Sequence, residues 1–236
     1  MAFYLSALQH CPYLPDQEEL LVLSDPREKI GGMEYDQLLQ KGFRRNGPVA
    51  YRPMCPQCDA CISVRIPVAD FQPSRSQRRT WARNRDVRLC EQNPRWDAAH
   101  ARLFASYQRW RHPGGGMDEQ ADRLYREMIV ETGGVDARLL VFEQDGRPLV
   151  VALVDVLRSG VSAVYTFYTP DLPQHGLGIF TILSQIEWTR EQGLPYLYLG
   201  YWVANSRKMD YKKRFRPLEG FVAGDWRLLP EACKRE

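Results

Sequence analysis

The chain has 236 residues, 44% apolar and 26% charged, enough for one large domain or two closely packed halves with a real core. The longest apolar run, 149–157, is broken by Asp155 and falls well short of the roughly 18–20 residues that cross a bilayer, so no membrane partner is expected. The net charge of +3 hides an asymmetry: residues 41–88 carry 11 Lys/Arg against three acids, a net of +8 that leaves the rest at −5, and a block of one sign suggests a patch for a polyanion.

The opening stretch lacks a basic start and carries Pro12 and Pro15, so it does not read as a signal peptide; the expected setting is cytoplasmic. The first half is irregular and turn-rich. A short helix over 36–41 closes at Gly42, and strands over 49–51 and 64–68 flank Cys55, Cys58 and Cys61, spaced by three. Without a secretory signal, such spacing reads as metal or redox chemistry and not as disulfides. A tetrahedral zinc or an iron–sulfur cluster needs a fourth ligand, and Cys11 is the best candidate. A catalytic cysteine would want a histidine base, and His10, His100, His112 and His175 show no pairing pattern.

Ser74 predicts the N-cap of a helix reaching Asn84. On it Arg75, Arg78 and Arg79 share one face, and Arg83 follows. Arginine pairs with phosphate through a planar fork, so these four are candidate phosphate contacts. Trp81, Trp96, Tyr107 and Trp110 interleave with the charges, as suits an RNA end. A strand over 87–89 follows, then helices over 97–110 and 118–132, split by His112-Pro-Gly-Gly-Gly116. No Gly-Lys-Ser/Thr follows those glycines, so there is no ATP loop.

The second half is more regular. Strands are predicted over 138–142, 149–157 and 161–168, the last rich in β-branched and aromatic residues. A loop with Gly176 and Gly178 opens a helix of about 13 residues that ends near Gly193. A strand over 196–200, a basic helix over 206–214 and a strand over 218–222 close the chain. In the basic helix Lys208 and Lys212 share a face and Tyr211 lies beside Lys208, lining a donor site or holding an acidic substrate. Glycines ahead of a helix let amides approach an anion. In a coenzyme A loop, however, Arg or Gln stands where Pro173 is found, so coenzyme A is not expected. The order β-β-β, loop, α, β, α, β is that of a GNAT-type acyltransferase. The fold class is therefore α+β: a GNAT-like mixed sheet flanked by helices. Residues 1–134 form a partial GNAT-like half with the cysteine cluster and basic helix, and 135–236 the GNAT-like transferase half.

Several segments together carry a specific resemblance over almost the whole chain: His10-Cys-Pro-Tyr-Leu14, Tyr51-Arg-Pro-Met-Cys-Pro-Gln-Cys-Asp-Ala-Cys61, Phe71-Gln-Pro-Ser-Arg-Ser-Gln-Arg-Arg79, Ala163-Val-Tyr-Thr-Phe-Tyr168, Tyr198-Leu-Gly-Tyr-Trp202 and Lys208-Met-Asp-Tyr-Lys212. They resemble the bacterial aspartate/glutamate leucyltransferases, a branch of the arginyl/leucyl-tRNA–protein transferases. The resemblance implies transfer of leucine from leucyl-tRNA to the α-amine of proteins that begin with Asp or Glu, creating an N-degron. It also implies a GNAT-related fold and, in some members, a cysteine-bound iron–sulfur cluster. Eukaryotic relatives have a Cys-x-x-Cys pair near the N-terminus, where Leu14 stands here in the second position.

For such a reaction, Asp155 is the candidate to hold or deprotonate the amine from a strand facing the cleft. Tyr165 and Tyr201 are candidates to donate to the oxyanion or relay its proton. Arg75, Arg79 and Lys208 are candidates for the acceptor's acidic side chain. Two other readings compete. One is a coenzyme A-dependent N-acyltransferase with a structural zinc site; the other is a zinc-dependent RNA-binding module that transfers nothing.

Overall fold

The computed structural model describes residues 1–111, 120–204, 206 and 208–230. The glycine run 114–116 and Cys233 lie outside the described residues. In chain order the elements are β1 (Phe3–Leu5), β2 (Gln9–His10), β3 (Glu18–Glu19), β4 (Leu21–Ser24), α1 (Gly32–Gln40), β5 (Arg44–Asn46), β6 (Val49–Pro53), β7 (Cys61–Pro67), α2 (Arg75–Arg83), β8 (Arg88–Gln92) and α3 (Ala98–Arg111). They continue with α4 (Ala121–Tyr125, extended by a π turn over Arg126–Val130), β9 (Ala137–Gln144), β10 (Arg147–Leu157), β11 (Gly160–Tyr168), α5 (Leu177–Glu191), β12 (Tyr196–Val203), β13 (Glu219–Val222) and β14 (Asp225–Leu228).

One mixed eight-stranded sheet, ordered β14-β13-β7-β12-β11-β10-β9-β8, organises the molecule. Its inner strands read as continuous apolar runs because both faces are covered. One face, including Val150, Ala152, Val154 and Phe142, packs under α5 through Phe180, Leu183 and Ile186. The other, including Val151, Leu153 and Phe167, packs under α3 and α4 through Phe104 and Tyr125. The expected α+β mixed sheet with flanking helices is the one observed, and from β9 to β12 the strands and helix follow the expected order. From the first half, β1, β4, β6 and β5 make a separate four-stranded sheet, whereas β7 and β8 join the large sheet, against β12 and β9. No helix among the described residues is long and apolar enough to cross a membrane.

The feature that makes the site is a local failure of pairing. Parallel strands β11 and β12 pair only at Val161↔Leu197 and Ser162↔Tyr198. Just beyond, each carries one extra residue. Register against β10 skips Val164, and register against β7 skips Leu199. Gly200 beside the second bulge has φ +77°, a left-handed conformation that suits glycine. The bulges bend the strands apart and open the sheet.

Candidate active site

The gap between β11 and β12 widens into a cavity of about 1120 Å³. Its floor is made by Ala163 and Tyr165 on one side and by Leu199, Gly200 and Tyr201 on the other. Strand β5 reaches across this floor with two arginines. Arg45 donates from Nε to Asp155 Oδ2 at 2.9 Å and from Nη2 to Asp155 Oδ1, and both side chains are at most 1% exposed. Arg44 is also buried, but among the described residues it donates only to neutral acceptors: Ser162 Oγ at 3.1 Å and the Ala163 carbonyl. It fits because Gly200 has no side chain; a Cβ there would lie 3.1 Å from Arg44 Nε. Neither arginine belongs to a recognisable motif. Their only signal is a doublet inside the basic block, just before the Gly47-Pro48 turn.

The expected position of Asp155 facing the cleft does not hold. Asp155 is wholly buried behind Arg45 and does not line the cavity. Burial holds its carboxyl above the usual carboxylate range, and the Arg45 bonds offset only part of that rise. Tyr165 does line the cavity. Its oxygen accepts from Gln108 Nε2 at 3.0 Å, which leaves its own proton to donate. Tyr201 lines the cavity too, but its hydroxyl is directed at the Gly42 carbonyl at 2.9 Å and the Tyr51 carbonyl at 3.2 Å.

The basic helix expected over 206–214 is instead a 3-10 turn, Asp210–Arg214, with residues 205 and 207 outside the described residues. Lys208 and Lys212 therefore do not share a face. Lys208 is exposed at the cavity wall, while Lys212 is buried and its Nζ donates to the Tyr201 carbonyl at 2.5 Å. That tether, one residue beyond Gly200, holds the segment against β12 and prevents a solvated helix. Burial first, and the Arg44 charge second, pull the Lys212 ammonium down to about 7. Tyr211 lines the cavity and is 37% exposed.

At the other wall, a 3-10 turn over Pro173–His175 leads to Gly176, which has φ 61° and caps α5. The amides of His175 and Gly176 bond within that turn, to Leu172 and Pro173. Gly176 and Gly178 both line the cavity. The arginine helix forms as expected: Ser74 Oγ accepts from the Gln77 amide at 3.3 Å and Gln77 Oε1 from the Ser74 amide at 2.7 Å, a capping box. Arg75, Arg78, Arg79 and Arg83 are all exposed, and none pairs with a carboxylate among the described residues. None of the four lines the cavity, yet α2 is fastened to its wall. Arg83 donates to the Gln174 carbonyl, and Asn84 Nδ2 to the His175 carbonyl at 2.9 Å.

None of the described cysteines lines the cavity, though Cys11 precedes Pro12, which does. Cys11 follows β2, Cys55 and Cys58 lie between β6 and β7, and Cys61 begins β7; all four are half-buried and free. Burial, then the neighbouring Cys55, Cys11 and Cys58, pushes the Cys61 thiol up to about 12. Four neighbouring reduced thiols suit a soft metal group in donor chemistry. Their spacing is not that of a closed single-ion site, since no three metal-binding side chains are so grouped among the described residues.

Residues 9–79 match the family model described as arginine-tRNA-protein transferase, N terminus, and residues 99–222 match its C-terminus counterpart. The aspartate/glutamate leucyltransferase of Chromobacterium violaceum is 44% identical over 234 residues, covering 97% of this chain and 94% of that one. The enzyme of the same name from Nitrosococcus oceani is 44% identical over 231 residues, covering 97% and 96%. Among solved structures, that of FemX has a TM-score of 0.49 at 12% identity, covering 80% of this chain and 65% of that chain. Two family models that between them span most of the chain, and relatives that align almost end to end, give one conclusion: this chain belongs to the arginine-tRNA-protein transferase family.

Proposed function

We propose that this protein transfers the leucyl group of leucyl-tRNA to the α-amine of proteins that begin with Asp or Glu, marking them for degradation. The observation that carries this is the bond between the free-arginine helix and the cavity wall. A phosphate-binding surface is fixed beside a chamber large enough for an aminoacylated nucleotide end. Arg75, Arg78, Arg79 and Arg83 take the acceptor stem, and the Gly176–Gly178 wall receives the terminal nucleotide with Lys208 and Tyr211 opposite.

The donor ester is already activated, so positioning and oxyanion stabilisation are what remain. An α-amine has a pKa near 7.7–8.0, so roughly a tenth or more is neutral at pH 7. The amine attacks the ester carbonyl, and Tyr165 donates to the oxyanion. The C–O bond then breaks as the amide forms, and the departing ribose hydroxyl leaves with the amine's proton. Asp155 keeps Arg45 in place, and Tyr201 braces the wall. Pro173 stands where a coenzyme A loop carries Arg or Gln, which speaks against that donor.

Purified protein should add leucine from leucyl-tRNA to peptides beginning with Asp or Glu and leave those beginning with Lys or Arg unmodified, as read by peptide mass. Transfer from acyl-coenzyme A, or from arginyl-tRNA alone, overturns this reading.

Cys11, Cys55, Cys58 and Cys61 are proposed to hold an iron–sulfur cluster, with zinc as the alternative, in a cytoplasmic setting that keeps thiols reduced. When bound, the group would tie the segment after β2 to β7. Protein isolated without oxygen should be coloured, and Cys58→Ser should lose the colour and the bound iron; colourless protein with one bound zinc favours the alternative.

A further inference from the structure

We infer that Arg44 and Lys212 form the seat for the side-chain carboxylate of the acceptor's first residue. This rests on the proposed transfer reaction and names the part of the site that reads the acceptor. Burying a cation is costly unless an anion meets it. Two nearby arginines show how the fold meets that cost elsewhere: Arg45 is matched by Asp155 and Arg65 by Glu219. Arg44 and Lys212 are each 5% exposed, line the same cavity, and have no carboxylate partner among the described residues. Their hydrogen bonds go to a serine hydroxyl and two main-chain carbonyls, so both retain donors for a ligand.

Strand β12 brings the two heads together. Gly200 leaves room for the Arg44 guanidinium, and the carbonyl of the next residue, Tyr201, takes the Lys212 ammonium. A guanidinium fork and a point charge at the base of a chamber suit one small anion presented end-on. RNA phosphates have a separate surface in the exposed arginines of α2. Arg75 and Arg79, expected from sequence as candidates for the acidic side chain, are exposed and outside the cavity, and Lys208 is exposed at its wall.

The test uses the full chain, saturating leucyl-tRNA and peptides that differ only in beginning with Asp or Asn. Wild type should prefer Asp. Lys212→Met should lower the Asp/Asn ratio of kcat/KM by about 10- to 100-fold, the range for losing a charged hydrogen bond, over and above any loss that the broken tether to β12 imposes on both peptides alike. Arg44→Lys, which keeps the charge but loses the fork, should also narrow the Asp/Asn ratio. If both peptides fall together in both variants, or the Asp preference persists, the inference is overturned. It is equally overturned if the variants instead weaken leucyl-tRNA binding and reduce its salt dependence, since the pair then holds an RNA phosphate. A wild type that leucylates no peptide overturns the transfer reading itself, and this inference with it.

Discussion

At the scale of single residues, Asp155 shows how a correct identification of chemistry can carry the wrong role. A carboxylate within an apolar strand demands explanation, and sequence offers a catalytic one. The structure offers Arg45, whose side chain is 1% exposed and whose charge is met by that carboxylate. Asp155→Asn keeps the shape but strands the buried guanidinium, and should cost about 3–5 kcal/mol of stability, measured by urea unfolding. A catalytic base at this position would instead give lost turnover with unfolding unchanged. The residues legible beforehand were those in distinctive strings, such as Tyr165 and Tyr201. What their hydroxyls touch depends on Gln108, Gly42 and Tyr51, which are remote in sequence. Arg44 was hidden for the opposite reason, whereas Lys212 was named from its run but on a helical face shared with Lys208 that does not form. Both sit in cationic runs, and only the fold shows which members are buried: Arg44 with Arg45 in one, Lys212 in the other.

Individual elements were legible in proportion to how locally they are specified. Helix α2 is set by its own capping box and the amphipathic spacing that buries Gln77, so its limits and arginine face could be read directly. Strands β9, β10 and β11 could be read from their apolar runs and intervening turns. The bulges at Val164 and Leu199 could not, because a bulge is a relation between paired strands, and the cavity exists because of them. The segment over Asp210–Arg214 looked helical from composition, but one buried lysine overrides that propensity. Since α2 is self-specified and its arginines have no carboxylate partners among the described residues, its charge can be changed with little structural consequence. The double substitution Arg75→Glu, Arg79→Glu should leave the melting temperature almost unchanged. It should weaken tRNA binding and lower the slope of log K against log salt by about 0.9 for each phosphate that the helix no longer neutralises. An unchanged slope would remove α2 from the RNA-binding surface.

The whole molecule depends on a sheet to which both halves of the chain contribute. From the first half, β7 covers the side of β12 that faces away from the cavity, and β8 covers β9. The same first half supplies β5, whose arginines occupy the gap between β11 and β12. Residues 135–236 alone would leave both β9 and β12 as exposed apolar edges, which are prone to pair with other chains. They would also leave Asp155 buried without a cation. Residues 1–134 alone would hold β7 and β8 with no sheet to join. Each fragment is thus expected to lack a cooperative thermal transition by circular dichroism, and the two mixed together should recover one. A cooperative transition in either fragment by itself would mean that the shared sheet is a docking surface between independent domains. In that case docking would set the cavity geometry, in place of the strand pairing that brings the arginine helix, the opened strands and the buried cations into a single register.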